Sequence, residues 1–470
     1  LGAPGWRGLG PALAVRRLAR RLPVLATVVL LVAIAAASTV FAAAFAATGE
    51  RVARDVRELR VGGDLLVRGW TVADDPGALA ATGSTARLAA PGVLGDDEPL
   101  ILGLAGERLP GAVHDVPGLV ATRALAAAIA VPAVGTPFPE GTTRLDFEVD
   151  ATDGVQLRAW ILDAAGAVRS VPLDAPVTGS PRALLALDAD VSRAGTFVSV
   201  HVAAVATTPQ GRQEVALPAD WEPQFAVFDD LAERPLTLAT DGLGFDLERQ
   251  SRNDVNLRLM PAGVAGEPLP VVVTRDLATR TAVEVGDPLE VRFAGTGRML
   301  LGEIAAVAPA LPTAGDDAAV LVDLPAFAVQ QLRLTETLPA PDSLVLRTDD
   351  PAAVRAALPA TAVATGLEPG TADRMLGIAR ALLWFAAVGA VAVAVVGGAG
   401  VSASLVAERR RETRILAVLG EPASRQARGQ RLELALTVAL ATLGGAAVGA
   451  LLAVAAVPAF ARAAAPGSGV

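Results

Sequence analysis

Glu408-Arg409-Arg410-Arg411-Glu412-Thr413-Arg414-Ile415-Leu416-Ala417-Val418-Leu419-Gly420 reads as a charged helix with an apolar edge and a glycine stop, set between two long uncharged stretches. Those stretches, Ala381 to Ala407 and Leu434 to Ala461, and a third from Leu22 to Gly49, hold no Asp, Glu, Lys, Arg or His. Each exceeds the roughly 20 residues that a helix needs to cross a bilayer core. Burial in a large soluble domain is the alternative, and Arg-rich flanks weigh against it. For the first run, Arg16, Arg17, Arg20 and Arg21 ahead of it and Ala44 and Ala46 near its end also suit a cleaved signal peptide. Its apolar core is well beyond the roughly 7–15 residues of a signal h-region, which favours a retained span.

Arginine sets the expected orientation. Residues 1–21 hold five Arg (Arg7, Arg16, Arg17, Arg20, Arg21) and no acid, and residues 408–433 hold seven Arg against four Glu. The positive-inside rule places both in the cytoplasm, which leaves residues 50 to about 373 and the tail after Ala461 outside. Residues 1–21 carry +5 and residues 374–470 carry +6, so against a chain total of −9 the intervening segment carries −20, a balance compatible with translocation.

Composition excludes several chemistries. The chain has no Lys, so it carries no Walker A loop and no Schiff-base amine. It has no Cys, hence no disulfide, thiolate nucleophile or cysteine zinc site, and the large segment must be held by its core alone. At about 320 residues it is long enough to bury one. The two histidines, His114 beside Asp115 and His201 in a strand-like run, are far apart in sequence and make neither a zinc site nor a triad. Asp96-Asp97-Glu98 lacks the spaced ligands of a calcium loop and reads as a solvated turn. Trp160 and Phe197 suit core packing more than sugar stacking. No catalytic residue, metal, cofactor or nucleic acid is expected.

Within the large segment, Arg60 to Val67 is strand-like and Leu119 to Ile129 helical in composition. From about Gly141 the period switches to two: Leu145, Phe147 and Val149 alternate with charged residues, then Val155, Leu157, Ala159 and Ile161, and later Val198, Val200 and Val202. Such alternation between Gly, Asp and Pro punctuation predicts an antiparallel β-sandwich over 139–258. Val271 to Thr274, the turn Gly286-Asp287-Pro288, Leu301 to Val307 and Val320 to Leu324 return to mixed α/β character, with a short helix at Asp276 to Thr281. The expected class is therefore α-helical membrane spans plus a large extracytoplasmic mixed α/β domain interrupted by an antiparallel β-sandwich. The expected order is an Arg-rich lead-in (1–21), span 1 (22–49), α/β core (50–138), sandwich (139–258), α/β core (259–373), span 2 (374–407), coupling segment (408–433), span 3 (434–461) and outer tail (462–470).

One span, a large outer domain, a second span running into Glu-Arg-Arg-Arg-Glu, an apolar edge closing on Leu419-Gly420 and a Gly-rich third span together resemble the FtsX/MacB-type permeases of ABC transporters. Val271 to Val283 with Val285-Gly286-Asp287-Pro288-Leu289 resembles part of that family's extracytoplasmic core, while the sandwich lies outside the likeness. The family has a fourth span, and this sequence ends at Val470 and begins at Leu1 without Met. The expectation is a fragment, resembling the second module of a two-module permease. Glu421-Pro422 stands where small or hydroxyl residues are commoner in the family.

The resemblance implies a separate cytoplasmic P-loop ATPase subunit that grips Glu408, Arg409, Arg410, Arg411, Glu412, Ile415, Val418, Leu419 and Gly420. It also implies a second permease module or homodimer mate, and a multi-pass protein of the bacterial plasma membrane with a cytoplasmic N-terminus. Export or extraction of lipids, lipoproteins or peptides, or control of the cell envelope, follows as the expected role. Local physics agrees: Ile415, Val418 and Leu419 share a helix face, Glu408/Arg411 and Arg409/Glu412 can pair at i, i+3, Gly420 suits a C-cap and Pro422 blocks continuation. The competing reading of Arg409 to Arg411 is an anchor on anionic membrane lipid. Gly445 and Gly449 form a GxxxG for close helix packing, and Gly397, Gly398 and Gly400 offer packing or bending, although chance competes in so Gly- and Ala-rich a chain. Glu433 reads as an interfacial charge or a coupling residue. A membrane-anchored binding or adhesion module is the alternative function.

Overall fold

The computed structural model describes residues 9–69, 82–132, 135–138, 144–150, 155–163, 165–172, 182–186, 196–204, 211–216, 225–229, 243–247, 255–261, 268–296, 298–315, 317–334, 338, 340–418 and 423–464. The chain divides into two compact units, one of residues 1–54 with 369–465 and the other centred on residues 55–368.

The first unit is three long helices: α1 (Leu9–Val61) and two more at the C-terminal end, Thr371–Val418 and Ala423–Ala464. All three are long and apolar enough to cross a membrane. They meet through a few small residues and leave most of their apolar surface outward, as lipid-facing helices do. Val28, Ala35 and Ala42 are buried positions of α1 within this unit, spaced by sevens.

The second unit is built on a nine-stranded mixed sheet. Its strands are β1 (Leu65–Arg68), β2 (Gly83–Val93), β3 (Leu100–Leu104), β14 (Leu269–Thr274), β15 (Pro288–Phe293), β16 (Met299–Ala308), β17 (Ala319–Asp323), β18 (Ser343–Arg347) and β19 (Val363–Gly366). The intervening β4 (Thr136–Pro137), β5 (Arg144–Asp150), β6 (Val155–Leu162), β7 (Val168–Pro172), β8 (Arg182–Ala186), β9 (Thr196–Ala204), β10 (Gly211–Ala216), β11 (Phe225–Asp229), β12 (Leu243–Leu247) and β13 (Val255–Pro261) form two other sheets. The large sheet runs β15-β16-β14-β17-β3-β2-β18-β1-β19, with β14–β16 and β17–β3 parallel and the rest antiparallel. Its strands come from both sides of residues 136–261, so that segment interrupts the sheet in sequence.

Runs such as Leu65-Leu66-Val67, Val271-Val272-Val273 and Leu344-Val345-Leu346 are apolar at every position because both faces of the sheet are covered. Leu65, Val67, Val271, Val273, Leu344 and Leu346 belong to one core, with the helices α4 (Arg275–Thr281), α5 (Leu324–Leu334) and α6 (Pro351–Ala357). Leu66, Val272 and Val345 face the other, closed by the last turn of α1 and by α2 (Leu109–Ala112) and α3 (Thr122–Ala128). The two long helices that follow are α7 (Thr371–Val418) and α8 (Ala423–Ala464).

The other two sheets are antiparallel throughout: β12-β10-β5-β8, and β11-β13-β9-β6-β7 with β4 beside β9. These antiparallel strands extend beyond residues 139–258 on both sides, since β4 at Thr136 pairs with β9 and β13 reaches Pro261. The β6–β7 turn docks on the large sheet: Ala86 N–H donates to the Ala165 carbonyl at 2.7 Å, and Trp160, Ala165, Ala167 and Val168 join the first core. Asp163, 1% exposed, fixes that turn by accepting from the N–H groups of Ala165 and Ala167 and from Arg169 Nε. Trp160 is thus a core residue, as its strand position suggested.

Arg60 and Val61, expected in a strand, are the last turn of α1, and the strand begins only at Leu65. Helix geometry wins there because Leu59 and Val61 are buried in the second core from a helical backbone.

Candidate functional site

The charged segment 408–418 is the last part of α7, a helix unbroken from Thr371. Glu408, Arg409, Arg410, Arg411, Glu412, Ile415 and Val418 therefore lie on the same 48-residue helix as the apolar run 381–407, about 70 Å long at 1.5 Å per residue. Ile415 and Val418 stand three positions apart on it. Leu419 and Gly420, with Glu421 and Pro422, lie outside the described residues. Helix α8 begins at Ala423, so Arg425, Arg428, Arg431 and Glu433 sit in its first turns, ahead of the apolar stretch at Leu434. The segment expected as a single linker of 408–433 is thus shared between the end of α7 and the start of α8, with 419–422 outside the described residues.

The small residues of the spans fall into different surroundings. On α8 the buried positions are Thr437, Ala441, Gly445, Gly449 and Ala453, every fourth residue. A Cβ on Gly445 would fall on the backbone of Ala33 in α1, and one on Gly449 would lie 2.5 Å from the Ala37 carbonyl oxygen. The two glycines thus pack directly on the α1 backbone four residues apart, the close approach that a GxxxG permits. A Cβ on Gly397 of α7 would meet only the Leu31 side chain, at 2.8 Å; Gly398 has Val28 at 3.8 Å, and Gly400 faces open space.

Where α1 joins the sheet unit, several groups meet. The Leu59 carbonyl accepts from Thr313 N–H at 2.7 Å, and the Gly62 carbonyl from His114 N–H at 2.7 Å. Gly62 ends the helix at φ +81°, a left-handed conformation that favours glycine. Asp64 then accepts from the Thr348 N–H with one oxygen and lies 2.9 Å from His114 Nε2 with the other. Thr313, itself at φ +63°, accepts from Arg87 Nε at 2.8 Å through its hydroxyl. Arg87, 5% exposed, also reaches the Thr313 carbonyl, Asp342 and Ser343. Burial lowers the Arg87 pKa, with the Asp342 carboxylate acting against it. This network holds the end of α1 to β2, β18 and the 309–315 loop.

In the sequence only the Gly62-Gly63 doublet before Asp64 marks the end of α1 here, and nothing there points to His114, Thr313 or Arg87 as its partners. The other perturbed carboxylates are structural. Asp323, at the start of α5, accepts from Gly106 N–H and Ala326 N–H, and burial, with Glu107 adding to it, pushes its pKa up to about 6. Asp115 is lowered by accepting from the Thr122 N–H and hydroxyl. Asp97 of the acidic turn pairs with Arg280 at 2.8 Å. Among the described residues no group of three His, Cys, Asp or Glu is arranged to hold a metal.

No protein-family model matches the chain, and a search of curated proteins finds no match either.

Proposed function

We propose that the chain is a permease subunit of an FtsX/MacB-type ABC transporter, passing the motion of a separate ATPase through the membrane to an extracytoplasmic domain. The observation that carries this reading is the continuity of α7: the charged segment prolongs a span-length apolar helix with no break up to Val418. A load applied at Glu408–Val418 then acts on the span itself, without an intervening hinge. The motor must be another chain, because this one has no lysine for a phosphate-binding loop.

At the far end of the polypeptide path, α1 finishes in the core of the sheet unit, with Leu59 fully buried and its carbonyl bonded to Thr313. In this reading residues 408–433 face the cytoplasm of a bacterial plasma membrane and residues 55–368 lie outside. A second permease module or homodimer mate completes the transporter, whose work is moving lipids, lipoproteins or peptides, or controlling the envelope.

Affinity capture of the full chain from native membranes tests it. A nucleotide-binding subunit should co-purify, and Arg410→Glu or Leu419→Asp should abolish its capture. Unchanged capture in both variants, or none from the start, favours a membrane-tethered binding module.

A further inference from the structure

One end of the helical unit carries a set of arginines that the coupling role does not use. Helix α1 leaves its apolar run at Gly49 and continues with Glu50, Arg51 and Arg54; α7 carries Arg374 and Arg380 just before its apolar run begins at Ala381. Arg380 Nη1 lies 3.7 Å from Glu50 Oε2, so the two helices reach the edge of their apolar zones at the same level. Arg51, Arg54 and Arg374 are exposed and make no ion pair among the described residues.

Aromatic residues mark the same level on both helices. Phe41 and Phe45 stack on α1 with centroids 6.3 Å apart, and Trp384 and Phe385 are 40% and 79% exposed on α7. Phe45 and Trp384 stand five and four residues inside Glu50 and Arg380, about 6–8 Å along the helix. Trp384, with an apolar ring and a polar N–H, suits the border of hydrocarbon and headgroups, and the phenylalanines suit the hydrocarbon just inside it. Met375 and Ile378, 67% and 62% exposed, alternate with Arg374 and Arg380. Exposed apolar side chains among arginines suit the headgroup zone, where the stems lie in the acyl boundary and the guanidinium groups reach phosphate.

We infer that Arg51, Arg54 and Arg374, with Arg380 braced by Glu50, form a collar that binds the phosphate groups of anionic phospholipids at this end of the helices. The opposing charges nearby are Glu50, engaged with Arg380, Asp373, which caps the Gly370 N–H, and on α1 Asp55 and Glu58, four positions beyond Arg51 and Arg54. The inference rests on the helices being membrane-embedded, as the proposed function requires. The ligand is lipid of the surrounding bilayer, because the arginines are exposed on two helices at the edge of their apolar runs.

The test reconstitutes the full chain into phosphatidylcholine vesicles containing a minor fraction of phosphatidylglycerol, and measures the association of spin-labelled phosphatidylglycerol relative to labelled phosphatidylcholine. An R409Q/R410Q/R411Q background removes the contribution of the charged segment. Adding R51Q/R54Q/R374Q should then lower the preference for the anionic lipid at least about tenfold, given a factor of about five per basic residue near a membrane surface. The lysine version of the same three changes should retain the preference. An unchanged preference in the glutamine variant overturns the collar, as does its loss to inorganic phosphate at matched ionic strength. Should the glutamine variant not fold, the salt dependence of the unsubstituted collar in that background decides: a preference insensitive to salt contradicts a charge-based site. Failure of the chain to float with vesicles at all would instead refute the membrane reading, a result separable from loss of lipid preference.

Discussion

Two glycine clusters that look alike in sequence, Gly397-Gly398-Ala399-Gly400 in α7 and Gly445 to Gly449 in α8, meet different surroundings in the fold. On α8 the glycines touch backbone: Ala33 and Ala37 of α1 occupy the space that side chains would need. On α7 they touch a leucine tip, a valine at ordinary contact distance, or nothing. A glycine against backbone is required, because backbone cannot step aside, whereas a glycine against the end of a flexible side chain is only convenient. Helices α1 and α8 are thereby packed backbone to backbone, and α7 meets α1 through side chains that can rearrange. Under the proposed function, in which α7 would carry the applied load, that difference assigns α8 as the fixed partner of α1 and α7 as the movable one.

Substitution tests the contrast from its strongest point downward. Gly445→Val or Gly449→Val should cost about 3 kcal/mol or more, the upper range for overpacking, seen as the largest drop in the thermal midpoint of the detergent-solubilised chain. A loss below that of Gly397→Val or Gly398→Val in α7 would break the comparison. Leu59→Ala, in the sheet unit, should cost about 2–5 kcal/mol, because it removes a fully buried side chain where α1 meets the core. The glycine interface should be unaffected, as judged by unchanged α1–α8 cross-linking between engineered cysteines.

A smaller effect separates the units by pH. The folded pKa of Asp323, about 6, exceeds its ordinary 3.8, so the native state holds this proton more tightly than the unfolded chain does. The group therefore opposes folding above pH 6, and the penalty, about 2–3 kcal/mol, is relieved as pH falls from about 6 towards 3.8. Asp323→Asn should flatten that part of the stability–pH profile, and the α8 glycine variants should leave its slope unaltered. Least of all, Gly400→Ala should be neutral or stabilise by up to about 1 kcal/mol through helix propensity, with open space at its Cβ. A marked loss there would place a neighbour against that face.

The helical unit is legible in the sequence because about twenty or more consecutive uncharged residues suit little besides a bilayer core. Its ends are not. Charge alone closes the first span at Gly49, yet α1 runs to Val61, because Arg51, Arg54, Arg57 and Arg60 are good helix formers and Leu59 and Val61 are anchored by the core. The same extension puts arginines beyond the first span as well as before it, so the charge difference across that span is smaller than its leading arginines imply. In the sheet unit the largely apolar strands β14 and β17 are visible, as are the alternating β5, β6 and β9.

Strand β2 is not, since its Gly83-Ser84-Thr85-Ala86-Arg87-Leu88-Ala89-Ala90-Pro91-Gly92-Val93 contains a proline that argues against an interior strand. The fold accommodates Pro91 by position. On that edge β2 pairs with β18 only through residues 83–87 and with β15 only at 92 and 93, so the missing N–H falls in the gap between partners. Of the candidate site, the helical character of 408–418 is readable from spacing, but its fusion to the preceding span is not, because an apolar run followed by a charged one carries no mark of whether the helix breaks between them. The joint at Asp64, His114, Thr313 and Arg87 is beyond reach, since it unites residues up to 249 positions apart that only the sheet brings together.

Transmission by α7 requires its charged end to lie on the opposite side of a membrane from the sheet unit. The chain has no cysteine, so a single one introduced at Thr413 or at the exposed Ser170 of β7 is a unique label site for a membrane-impermeant thiol reagent on intact cells. Labelling of Ser170→Cys in intact cells, with Thr413→Cys labelled only after permeabilisation, is the predicted result. Labelling of Thr413→Cys in intact cells, with Ser170→Cys protected, would contradict it.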